Sequence, residues 1–188
     1  CKTATVDDTG PTTIIVVDDT APTGLSTCGP NPPSIDLFSL TNGSDEPDAT
    51  GPSLRMDLEA SDPDGDLSPT FDFAIFWDTT LDGVLDETAP GVGFTFSVDG
   101  AQCGTTSVFG DSLFDTEQLA DTVGQAFPYN SCVEFQAQLV SNDAEISGEV
   151  VGNVGLSDLI VVATPQEDGS DATVDCGGQD TGISDTDT

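Results

Sequence analysis

Lys2 and Arg55 are the only basic residues in a chain of 188 that carries 35 Asp and Glu, and there is no histidine. Such a chain cannot neutralise its acids by ion pairing, and a carboxylate buried without a partner costs several kcal/mol. The acids must therefore stay in water. Segments that alternate apolar and polar side chains residue by residue can bury one face and still keep the other wet. The same formal charge of −33 repels nucleic acid and anionic lipid headgroups and draws cations, so no nucleic-acid partner is expected.

The required alternation fills the middle of the chain. SLRMDLEASD sets Leu54, Met56, Leu58 and Ala60 against Arg55, Asp57 and Glu59. FDFAIFWD puts Phe71, Phe73, Ile75 and Trp77 on one face, GFTFSVDG does so with Phe94, Phe96 and Val98, and CVEFQAQLVSND with Val133, Phe135, Ala137 and Leu139. IDLFSL, SGEVVGNVGL and DLIVVATP supply further strands, and turns rich in Asp, Gly and Pro separate them. DSLFDTEQLADTV differs: Leu119 and Val123 stand four apart behind acidic residues, which predicts a short helix near 114–123. The fold class expected is all-β, an antiparallel β-sandwich over 34–165 with one short helix.

The flanks read differently. Residues 1–33 are a Thr/Asp/Pro-rich spacer, and 166–188 an acidic Asp/Gly/Thr tail, both extended. One run in the spacer breaks the rule: Ile14, Ile15, Val16 and Val17 are strong β-formers. Exposed, such a run invites aggregation. A strand at 13–17 is expected to pair, either on an edge of its own sandwich or in the sheet of another copy, which would make a homopolymer by strand addition.

Five cysteines stand without a CxxC pair, so zinc and redox motifs are not indicated. Four of them read as two disulfides, hence an oxidising compartment outside the cytoplasm. Of the three connectivities, Cys28–Cys176 with Cys103–Cys132 is preferred, since it pairs within the domain and between its flanks. Cys1 is left over. A chain opening on cysteine resembles a bacterial or archaeal lipoprotein, and the resemblance implies a lipid anchor at Cys1 on the outer face of the envelope. The alternative is a chance terminal residue. No apolar run reaches the roughly 20 residues of a membrane span, so contact with a membrane is expected only through that anchor.

Catalysis is hard to assemble from these residues. Without histidine and with two basic groups, the common general base and the Ser-His-Asp and Cys-His constellations are missing. No enzyme is expected. Calcium fits better, because it takes six to eight oxygens from carboxylates and carbonyls in a flexible loop. DPDGD supplies Asp62, Asp64 and Asp66 around a glycine turn. DTTLDGVLDETA resembles the start of an EF-hand or dockerin calcium loop. Asp78, Thr80 and Asp82 match its first, third and fifth places, Gly83 the sharp turn and Asp86 the ninth. It departs at the twelfth, where Ala89 replaces the bidentate Glu and Glu87 is the nearest substitute. Plain Asp-Gly turns remain the alternative for both loops.

The succession of VxLxAxDPDGDL-like strand and turn, aromatic strand and Asp-Gly loop, carried by Asp62, Asp64, Gly65, Asp66 and Trp77, resembles bacterial surface domains of the immunoglobulin-like kind, cadherin-like and PKD-like modules included. The resemblance implies an immunoglobulin-like sandwich. The antibody hallmark is not met, for Tyr129 precedes Cys132 by three residues rather than two. Together these readings lead to a non-enzymatic extracellular structural or adhesive protein of the cell surface. The alternative is a calcium-dependent carbohydrate- or protein-binding module.

Overall fold

The computed structural model describes residues 31–68, 70–99, 101, 103–104, 107–141, 145–146, 149–150 and 154–177. The expected strand at 13–17 (Ile14, Ile15, Val16, Val17), the anchor at Cys1, Cys28 and most of the spacer lie outside them.

The strands run β1 (Ser34–Asn42), β2 (Ser53–Ser61), β3 (Thr70–Asp78), β4 (Gly91–Ser97) and β5 (Ser107–Asp115), then helix α1 (Thr116–Val123), then β6 (Cys132–Val140). A short hairpin, β7 (Glu145–Ile146) with β8 (Glu149–Val150), precedes β9 (Val154–Leu156) and β10 (Ile160–Ala163). All pairings are antiparallel. One sheet has the order β1-β2-β5, the other β10-β6-β3-β4, with β9 also on β6.

The alternation read from the sequence fixes which face each strand buries. Leu54, Met56, Leu58 and Ala60 are buried from one sheet; Phe71, Phe73, Ile75, Trp77, Val133, Phe135, Ala137 and Leu139 are buried from the other. They form one core with Phe38, Phe94 and Phe114. Rings meet across it: Phe38 lies 6.4 Å from Phe73, and Phe94 4.7 Å from Phe114, between centroids. Each large side chain removed from water contributes roughly 1.5–3 kcal/mol. Two sheets sharing one apolar core make a sandwich.

Helix α1 crosses between the sheets after β5. Asp115 caps it by accepting from the amides of Glu117 and Gln118, and Gly124, at φ 69°, ends it. Leu119 is its buried anchor. At its first turn the Thr116 hydroxyl donates to the Pro52 carbonyl at 2.8 Å, so the Tyr129 hydroxyl, 3.0 Å away, donates to Thr116. Burial raises the Tyr129 pKa, which keeps that donor protonated.

Strands β9 and β10 are two pieces of one edge, interrupted at Ser157. That residue spans the gap: its hydroxyl accepts from the Ala137 amide at 2.8 Å and its own amide donates to the Ala137 carbonyl at 2.9 Å.

After β10 the chain stays on the sandwich. Residues 166–177 form no strand, as their composition suggested, but they are held as a strap. Asn42 donates to Asp171 at 2.8 Å, Asn130 exchanges hydrogen bonds with Thr173, and Cys176 is bonded to Cys132 with 5.5 Å between Cα atoms. This corrects the expected pairing. Cys132 is joined to Cys176 and not to Cys103, so Cys28–Cys176 falls as well. The register explains why: Ala163 of β10 lies opposite Cys132, so the chain leaving the sheet emerges beside the first residue of β6. Cys103 is also disulfide-bonded, to a partner outside the described residues.

Candidate functional site: two acidic loops at opposite ends of β3

The carboxylates singled out in the sequence fall on the two loops that flank β3. At roughly 3.3 Å per residue, the strand holds these loops roughly 30 Å apart, so they form two separate places rather than one.

The first loop, 62–68, is tight. Asp62 folds its side chain back so that Oδ1 accepts from the amides of Asp64, at 2.7 Å, and Gly65, at 2.9 Å. Gly65 adopts φ 74°, a conformation that side chains disfavour. Asp62 and Asp66 are buried to 1% and 0% exposure and lie against each other. Asp64 turns away from them and accepts from the amide and side chain of Asn31, at 2.6 and 2.8 Å. The loop thus unites Asp62 with Asp66 and separates Asp64. Burial, with the neighbouring Asp66 adding to it, pushes the Asp62 carboxyl up to about 6, against the pull of the two backbone amides.

The second loop, residues 79–90, joins β3 to β4 and is closed at its base by the Trp77 amide donating to the Pro90 carbonyl. Asp78 is its anchor. Its two oxygens accept from the amides of Thr80, at 2.8 Å, and Asp86, at 3.1 Å. These amides hold the carboxyl below its ordinary range in spite of burial. Asp82 accepts only from the Val84 amide and is exposed, as are Asp86 and Glu87. Gly83 takes the sharp turn at φ 79°.

The residue not anticipated here is Glu134. Its neighbours Val133 and Phe135 face the core, so alternation assigns Glu134 to the outer, wet face of β6. It is nonetheless only 4% exposed, because the second loop folds over it. One oxygen accepts from the Gly83 amide at 2.9 Å, and the other, Oε2, is buried with no hydrogen-bond partner. Glu134 is also the register partner of Asp78. Directly opposed residues of antiparallel strands have Cβ atoms roughly 5 Å apart, and like charges placed so are destabilising. Backbone amides of the loop stabilise both carboxylates, but no basic side chain does. Arg55, the one basic residue among the described residues, lies on the other sheet and is engaged by Glu46, Asp111 and Asp57. No sequence pattern flags Glu134; only the strand register does.

Among the described residues, no three His, Cys, Asp or Glu side chains already stand close enough together to hold a metal ion. Beside the second loop is a shallow cleft of about 280 Å³ lined by Trp77, Asp78, Asp86, Pro90, Gln125 and Pro128. No helix among the described residues is long and apolar enough to cross a membrane. Comparison of the chain with protein families, with curated proteins and with solved structures finds no match.

Proposed function

We propose that this chain is a non-enzymatic, extracellular structural or adhesive protein of the cell surface, built on an immunoglobulin-like sandwich. The observation that carries the reading is covalent: the Cys132–Cys176 bond fastens the C-terminal strap to the start of a central strand, and Cys103 is bonded as well. Such bonds persist in oxidising surroundings. Strand order supports the immunoglobulin-like part. The second and fifth strands are neighbours in one sheet and the third and sixth in the other, as strands B and E, and C and F, are in that fold. Trp77, buried on the third strand, corresponds on this reading to the core tryptophan of strand C.

Immunogold labelling of intact, unpermeabilised cells tests the placement. Gold on the surface is expected; labelling that needs permeabilisation refutes it. A second reading, a calcium-dependent module for a carbohydrate or protein, is favoured by the Asp78–Glu134 pair and by the cleft beside it.

A further inference from the structure

We propose that the β3–β4 loop binds one calcium ion, and that Glu134, reaching across from β6, supplies the carboxylate that the loop itself lacks at its twelfth place. The proposal deepens the calcium-dependent reading and rests on it. The loop offers Asp78 and Asp82 around the Gly83 turn, the spacing that carries an oxygen cage in calcium loops. Acidic spacing alone would be an ordinary surface turn. The independent observation is Glu134, a side chain from another element that is 4% exposed, engages the Gly83 amide through one oxygen and leaves Oε2 unpartnered.

A buried carboxylate facing a second one, with no basic residue near, must be neutralised by something from solution. A hard divalent cation does this best, because both carboxylates remain ionised and both become ligands. Two side chains do not complete a calcium shell. Asp82, exposed and tied only to the Val84 amide, has the freedom to turn inward, and loop carbonyls and water make up the remainder. Magnesium is disfavoured, since it demands a near-ideal octahedron and sheds its water reluctantly. The ion would sit at the rim of the cleft lined by Trp77 and Asp86, where an open coordination place can take a hydroxyl or carboxylate of a ligand.

Trp77, the sole tryptophan and the residue before Asp78, provides the probe. The full chain, stripped with EDTA, is titrated with Tb³⁺ at constant ionic strength while tryptophan-sensitised emission is read, and Ca²⁺ is then used to displace it. Saturable emission that Ca²⁺ removes is expected. Glu134→Gln, of the same shape, should weaken binding at least about tenfold. It should also melt higher than the wild type in EDTA, because an uncompensated charge is gone. Asp82→Asn, a change on an exposed side chain, should weaken binding in the same direction. Wild-type affinity in both variants overturns this assignment while leaving calcium binding elsewhere intact. A wild-type chain that responds to Ca²⁺ no more than to NaCl of equal ionic strength overturns the assignment and the calcium-dependent reading together.

Discussion

Replacing Cys132 and Cys176 together by serine removes the bond between the strap and β6. The two residues are separated by 44 positions, and the loop-closure entropy released to the unfolded chain at that length corresponds to about 4 kcal/mol. The native state relaxes as well, which makes that figure an upper bound. Without the bond, residues 166–177 are retained by exposed hydrogen bonds such as Asn42–Asp171 and Asn130–Thr173. Each contributes on the order of 1 kcal/mol or less, whereas ordering the backbone costs roughly 1–2 kcal/mol per residue. The strap should therefore detach while the sandwich stays folded. Urea unfolding would show the lost stability, and the melting temperature should fall by about 8–16 °C for a chain of this size. Hydrogen exchange distinguishes the two sources: the Thr173 amide, which donates to Asn130, should lose protection, while amides of β6 should keep it in native conditions. A loss below about 1 kcal/mol, with Thr173 still protected, would refute the loop-closure reasoning.

Two further outcomes follow from particular contacts. Gly91 faces Phe76 in register, and a β-carbon there runs into the Phe76 ring, so Gly91→Ala should cost about 1–3 kcal/mol. Gly110→Ala meets nothing within 4 Å and should be neutral or slightly stabilising, and equal melting temperatures for the two variants would contradict this. The Asp62 carboxyl, raised to about 6, favours the folded state fully below its ordinary pKa, and that contribution is lost as pH rises through about 6. In EDTA, stability should thus decline between pH 4 and pH 7 by an amount on the order of 2–3 kcal/mol from this group, and Asp62→Asn should flatten the decline. An unchanged slope in that variant would show that other carboxyls set the profile.

The strands that announced themselves in the sequence are those whose inward parity is wholly apolar. β6 is the plainest case, with Val133, Phe135, Ala137 and Leu139 all at 0% exposure. β5 was not foreseen. Its register on β2 gives Val108, Gly110, Ser112 and Phe114 the parity of the core residues of β2, yet two of the four carry no apolar side chain and only Phe114 is buried. Phe109, on the outer side, is 75% exposed and confuses the pattern further. The helix was legible because its cap at Asp115 and its anchor at Leu119 are local features. The acidic loops were legible as spacing, but their chemistry was not. Whether Asp64 joins Asp62 and Asp66 depends on Asn31, and whether the second loop has a twelfth ligand depends on which residue of β6 faces Asp78. The disulfide pairing failed for the same reason, since it follows from the place where β10 leaves the sheet. Pairing across the sandwich is long-range information that no window of sequence contains.

The strap also sets how the molecule bears load. A pull on the chain beyond Cys176 does not travel back through β10, because the disulfide passes it directly to Cys132. The covalent path then runs from Cys132 back towards Ser131, so β9 and β10, which lie inside the loop closed by the bond, are not drawn off the sheet by it. Force enters instead at the first residue of β6, the strand that pairs with β3 on one side and with β9 and β10 on the other. Opening the sandwich from that end requires lifting the start of a central strand from both neighbours, whereas without the bond the edge formed by β10 and β9 would unzip one hydrogen bond at a time. Reduction would thus move the load from the start of a central strand to an edge that peels.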